Sequence, residues 1–204
     1  MKRRTMLALA AALPCSPARA NSDAEVESFL ATLLEPGKRY ANIEPAEGRY
    51  LRDLVLRVRA RRALEIGTST GYSGIWLALG LKRTGGRLIT LEIDEGRHRT
   101  ARENFRAAGV AELVEARLGD ARVEIGRVDG PLDLVFIDAH KPDYLHYYEG
   151  VIGKTRQGGV IVAHNVLSHP EPMADFLAKI KSDPRVRTEI VSPGWQGFSV
   201  SWVR

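Results

Sequence analysis

Residues 61–78, "RRALEIGTSTGYSGIWLA", decide the fold. Two arginines lead into a short apolar run, 63–66, that reads as a buried strand. Gly67, Gly71 and Gly74 follow at once, and the segment near 72–83 reads as a helix. A strand that passes through glycines into a helix is the unit of an open α/β sheet, whose ligands settle at the carboxyl ends of strands. Glycine at such a turn permits positive φ and a close backbone approach, and the helix N-terminus offers unpaired N–H groups to an anion. A phosphate loop needs Lys-Ser/Thr after its second glycine, but Tyr72-Ser73 stands there. A dinucleotide fingerprint needs Gly-x-Gly-x-x-Gly, but here the first gap is three residues. The turn suits a smaller anion such as a carboxylate, with the Ser73 hydroxyl as an added donor.

Outward from that turn the alternation continues. Strands are expected at 63–66, 87–93, 114–118, 132–137 and 159–163, with helices near 72–83, 95–108, 120–127 and 143–155. Continuous apolar strands such as "LDLVFI" imply a buried parallel sheet with helices on both faces. Upstream, 23–34 and 45–60 carry helical spacing and form an N-terminal helical cap, the first ended by Pro36-Gly37. Downstream, Met173, Phe176, Leu177 and Ile180 mark one more amphipathic helix. "VRTEIV" (186–191) and "FSVSWV" (198–203) then read as a closing antiparallel hairpin at one edge of the sheet. No linker interrupts residues 21–204, so they are expected to form one α/β domain.

The formal net charge of +5 suggests an anionic partner, but its location argues otherwise. Residues 1–20 hold Lys2, Arg3, Arg4 and Arg19 and no acid; without them 26 basic residues stand against 25 acidic ones. The basicity belongs to the leader, and nucleic-acid binding loses its support. The leader itself, "MKRRTMLALAAALPCSPARA", has a basic start, an apolar run over 6–13 and a closing Ala18-Arg19-Ala20. That matches a secretory signal peptide, and Arg3-Arg4 also fits twin-arginine export to the periplasm. The apolar run is too short for membrane insertion as a spanning helix. Cys15 is the single cysteine, so a chain cleaved after residue 20 has neither an internal disulfide nor a thiolate nucleophile.

Two further carboxylates give the cleft its chemistry. Glu92, in "LITLEID", ends the second strand 21 residues beyond Gly71, where an acid accepts hydrogen bonds from ribose hydroxyls. Asp120, in "LGDA", ends the third strand, within reach of an adenine amino group. Each acid alone also reads as a helix N-cap. Carboxylate, ribose and adenine without a phosphate describe S-adenosylmethionine.

With these residues in place, the chain from about 40 to 204 resembles the S-adenosylmethionine-dependent O-methyltransferases of the catechol and caffeoyl-CoA type. The likeness runs through "ALEIGTSTGYSGIWLA", "LITLEID", "GDA", "LDLVFIDAHKPDYLHYY" and "GGVIVAHNVL". It implies a Rossmann-like, seven-stranded mixed sheet with a reversed final hairpin, and a homodimer. It also implies cofactor contacts at Glu65, Gly67, Ser73, Glu92 and Asp120, and a divalent metal held at Asp138, His164 and Asn165. The place of His164 is usually aspartate, and that exchange removes a negative charge and a hard oxygen. Magnesium then suits the set less well than manganese, iron or zinc. His164 is thus open to three readings: a ligand in an altered metal site, a general base without metal, or a loop histidine. His140 stands where the family often has an acid.

The expected reaction is methyl transfer to a hydroxyl of a small catechol-like or phenolic acceptor. Asp138 and Lys141 are the expected catalytic groups, Lys141 either taking the phenolic proton or holding the phenolate, with a solvated surface lysine as the alternative. "RVRARR" (57–62) reads as the solvated end of a helix that could touch an anionic acceptor. Trp195 reads either as a wall of the acceptor pocket or as packing, and Tyr144, Tyr147 and Tyr148 as packing. Two rival functions stay open: transfer to nitrogen on another small acceptor, and an exported S-adenosyl-binding protein without catalysis. The second follows from a conflict, since the leader points to the periplasm and the cofactor is made in the cytoplasm.

Overall fold

The computed structural model describes residues 22–35 and 42–204. The leader read at 1–20 and the Pro36-Gly37 break lie outside the described residues. Five parallel strands come first: β1 (Arg62–Ile66), β2 (Arg87–Glu92), β3 (Val114–Leu118), β4 (Leu132–Ile137) and β5 (Thr155–His164). β6 (Val186–Val191) and β7 (Phe198–Val203) close the chain as an antiparallel hairpin. The sheet order is β3-β2-β1-β4-β5-β7-β6, so β7 inserts antiparallel beside β5 and β6 becomes the edge.

Alternation along each strand divides the core between two faces. Ala63, Leu134, Phe136, Val160 and Val162 face α2 (Pro45–Arg57), α3 (Tyr72–Thr84) and α4 (Glu95–Ala107), with α1 (Asp23–Thr32) outside them. Leu64, Ile66, Val135, Ile137 and Ile161 face α5 (Ala121–Glu124), α6 (Tyr144–Ile152) and α7 (Ala174–Ser182). Burying the strands on both sides is what made them read as unbroken apolar runs. Among the described residues no helix is long and apolar enough to cross a membrane.

Four of the boundaries that differ from the sequence expectation have a local reason. β5 starts at Thr155, ahead of residue 159, because its register against β4 shifts between Leu132 and Leu134 around Gly158, whose φ is +74°. The helix expected over 120–127 is a four-residue α5 followed by a 3-10 turn, Ile125–Arg127. α6 begins at Tyr144 behind a 3-10 turn, Lys141–Asp143, that carries Pro142. α2 ends at Arg57, and Arg59 has a φ of +50°. The arginines of "RVRARR" therefore sit at the amino ends of the strands. There the Arg61 and Arg62 N–H groups donate to Asp133 at 2.7 and 2.8 Å. They lie at the opposite edge from the cleft described next, so they do not meet an acceptor there.

Candidate active site

The carboxyl ends of β1 to β5 open on one cleft of about 810 Å³, lined by Gly67, Ser73, Glu92, Asp120, Asp138, Lys141, His164 and Asn165, among others. That volume is ordinary for a small-molecule site. Of the residues expected to bind or react, only Glu65 stays out of the lining.

The first half of the cleft follows the glycine-rich turn. Gly67 has a φ of +99°, and a Cβ there would stand 2.1 Å from the Asp138 carbonyl oxygen. Only glycine lets the ends of β1 and β4 cross this closely. Ser73 lies in the first turn of α3, whose N–H groups have no intrahelical partners. Its hydroxyl donates inward to Glu65 Oε1 at 2.6 Å. The donors left for an anion are thus the backbone N–H groups, and the Ser73 oxygen offers a lone pair. Glu65 is 0% exposed and also accepts from Thr90 Oγ1 at 2.6 Å. Burial pushes its carboxyl up to about 7, against the lowering effect of the Ser73 and Thr90 hydroxyls. Glu65 therefore stands behind Ser73, outside the cleft lining.

Glu92 presents a buried carboxylate at the end of β2. It accepts from Ser69 N at 2.7 Å on one oxygen, and from Asp94 N at 3.0 Å and Arg97 at 3.1 Å on the other. A carboxylate has about four acceptor sites, so the singly bonded oxygen keeps one for a ribose hydroxyl. Asp120 caps α5 by accepting from Arg122 N at 2.9 Å and forms a two-pronged pair with the Arg122 guanidinium. The Arg122 hydrogen bonds hold its carboxyl below the usual range. Both the N-cap and the cleft-lining position read for Asp120 are thus present, and an adenine amino group would share it with Arg122.

The second half gathers at the ends of β4 and β5. Lys141 Nζ donates to Asp138 Oδ1 at 2.7 Å and to the Tyr144 hydroxyl at 2.9 Å. His164 is 2% exposed, and its two ring nitrogens meet two carboxylates. Nδ1 lies 3.1 Å from Asp138 Oδ2, and Nε2 lies 3.1 Å from Glu47 Oε1. Burial works against a charged imidazole, but the Asp138 and Glu47 carboxylates outweigh it and hold the ring up at about 9. Asp138 is correspondingly low: burial would raise it, and His164 and Lys141 more than reverse that. Asn165 adopts a φ of +63°, a conformation asparagine tolerates better than most, and its amide donates to Ser168 Oγ at 3.2 Å. With both ring nitrogens turned to carboxylates, His164 presents neither to a phenolic proton, which argues against it as a general base.

Glu47 was not read from the sequence as a functional residue. Its other oxygen accepts from Glu44 N at 2.8 Å, so it doubles as the N3 acid of a capping box on α2. Glu44-Pro45-Ala46-Glu47 announces that cap, but nothing local links Glu47 to His164. Trp195 is 65% exposed and does not line the cleft, whereas its neighbour Gln196 does. Tyr144 and Tyr148 pack in the core as expected, while Tyr147 is both buried and part of the lining. His140 sits exposed at the rim, its Nδ1 3.1 Å from Asp143.

A family model described as O-methyltransferase matches residues 24–196. A catechol O-methyltransferase of Niastella koreensis is 39% identical over 142 residues, which cover 67% of this chain and 63% of that protein. The catechol O-methyltransferase of Mycobacterium tuberculosis is 35% identical over 79% of this chain and 80% of its own length. Among solved structures, the O-methyltransferase of Bacillus cereus in complex with SAH superposes with a TM-score of 0.79 at 32% identity. It covers 90% of this chain and 92% of its own.

Proposed function

The chain belongs to the S-adenosylmethionine-dependent O-methyltransferase family, and from that premise we propose that it methylates a hydroxyl of a small catechol-like or phenolic acceptor. The observation that carries this reading is the division of one cleft into two chemistries. On the β1–β3 side, the α3 N-terminus, Glu92 and Asp120 match the carboxylate, ribose and adenine of S-adenosylmethionine. On the β4–β5 side, Asp138 and Lys141 face the place where an acceptor oxygen would lie. The acceptor oxygen bonds to the methyl carbon, the carbon–sulfur bond breaks, and its electron pair stays on sulfur as S-adenosylhomocysteine. The hydroxyl proton leaves to water.

The chain's own residues supply orientation and charge. A phenol ionises near pH 10, so a nearby cation is needed to favour its anion at neutral pH. An ammonium has three donors. Two of those on Lys141 are committed to Asp138 and Tyr144, which fixes its position and leaves one for the acceptor oxygen. Holding both reactants in line supplies much of the remaining acceleration.

The divalent metal implied by the resemblance fits these residues poorly. A histidine can hold a metal only through a ring nitrogen whose lone pair is turned to the ion and not engaged with another group. Both Asp138 oxygens already face nitrogen donors, and both His164 nitrogens face carboxylates.

Calorimetry with S-adenosylmethionine and S-adenosylhomocysteine, followed by transfer of labelled methyl to catechol, protocatechuate and caffeate, tests the reading. Saturable binding with a labelled methyl ether is the expected result. Absence of binding, or label found only on nitrogen acceptors, would sink it.

A further inference from the structure

We propose that Glu47, through His164, takes the place of a divalent ion, so that this chain transfers its methyl group with no metal bound at Asp138, His164 and Asn165. The inference rests on the methyl-transfer reading of the same cleft. Its basis is a continuous chain of contacts. Glu44 N fixes one Glu47 oxygen at 2.8 Å, and the other meets His164 Nε2 at 3.1 Å. His164 Nδ1 meets Asp138 at 3.1 Å, and the far Asp138 oxygen meets Lys141 Nζ at 2.7 Å. The ring itself is wedged between Phe136 and Phe198, with centroids 6.4 and 5.1 Å away.

Glu47 has no solvent to share. A carboxylate at 0% exposure is costly to bury unless it is paired, and the pairing found here is His164 and one backbone N–H. An aspartate at 164 would leave Glu47, Asp138 and itself crowded together, an arrangement that a cation would have to hold. The imidazole does that work in this chain, bridging two carboxylates from the end of β5. Glu47 is accordingly a positioning residue: it sets the ring, the ring sets Asp138, and Asp138 sets Lys141. For an ion to enter between Asp138 and His164, the contact at 3.1 Å that joins them must break.

The test is a Mn²⁺ titration of the chelator-treated protein, followed by electron paramagnetic resonance of the free ion, with and without S-adenosylhomocysteine. The native protein should leave Mn²⁺ free, and its methyl transfer should change less than about twofold between chelator and added Mn²⁺. His164→Asp should bind Mn²⁺ at least tenfold more tightly than the native protein. Glu47→Gln should lower kcat while leaving KM for S-adenosylmethionine unchanged. Stoichiometric Mn²⁺ binding by the native protein at micromolar concentration, with activity lost in chelator, overturns the proposal, and so does a His164→Asp protein that folds yet gains no affinity. Should that variant fail to fold, the native titration decides alone. S-adenosylhomocysteine binding, read in the same samples, reports separately on the methyl-transfer reading.

Discussion

Glu65 shows how much a single side chain here depends on what covers it. It lies on β1 facing α3, sealed by Gly74 and held by two hydroxyls. Its carboxyl titrates at about 7 in the fold against 4.5 in the open chain, because burial penalises the anion. Between those values the native state keeps a proton that the unfolded state has released, so stability must fall as pH rises through that window. The full effect is about 3 kcal/mol. Glu65→Gln should remove that slope: urea unfolding at pH 5 and pH 8 should show the native protein losing about 2–3 kcal/mol more than the variant. Equal losses would mean Glu65 is not sealed as described. The sequence placed Glu65 beside the cofactor, and the burial that moves it one layer back, behind Ser73, is a tertiary fact with no local signature. Glu47 escaped for the opposite reason, since its capping box explained it completely at short range. The placement of Asp138, Lys141, His164 and Asn165 was legible because each lies at, or within four residues of, the end of an apolar strand, and strand ends are where this architecture gathers its chemistry.

Elements rather than residues decide how firmly Glu47 is held. α2 lies on α3 through small residues at the crossing. A Cβ on Gly48 would fall 2.2 Å from the Trp76 ring, and one on Gly80 2.8 Å from Val55. Gly48 follows Glu47 directly, so a shift of α2 to relieve the ring would drag the carboxylate off His164. Gly48→Ala should therefore cost roughly 1–3 kcal/mol by overpacking and lower methyl transfer as well, measured by urea unfolding and by activity. Gly126→Ala is the contrast: nothing lies within 4 Å of its Cβ position. With a φ outside the left-handed region, it should be neutral or stabilising by up to ~1 kcal/mol. A Gly48→Ala protein as stable as the native one would show that the helices do not pack so closely. The same elements set the limit of the sequence reading. All seven strands were legible from apolar runs and alternation, but the early start of β5 was hidden by Gly158-Gly159. The α5 segment was overextended because periodicity does not distinguish an α turn from the 3-10 turn that follows it.

Across the whole molecule, the reversal of winding between β1 and β4 splits the cleft into a half fed by β1, β2 and β3 and a half fed by β4 and β5. The two halves meet at the end of the β1–β4 pairing, where Gly67 passes over the Asp138 carbonyl. If the division is functional, substitutions on either side should separate binding from transfer. Glu92→Ala removes the carboxylate from the first half. It should weaken S-adenosylhomocysteine binding at least tenfold, in line with about 1.5–3 kcal/mol for hydrogen bonds to a charged group. Asp138→Asn keeps the shape of the second half but takes away the charge shared by Lys141 and His164. Its S-adenosylhomocysteine affinity should stay within about threefold, a loss under 1 kcal/mol, while methyl transfer falls by about 100-fold or more, near 3 kcal/mol of barrier. Calorimetry and single-turnover rates on the same two proteins check both halves together. The crossed pattern is what matters, because a general loosening of the fold would lower binding and transfer in both variants alike. An Asp138→Asn protein that loses binding as fully as Glu92→Ala would show that the sheet does not divide the work in this way.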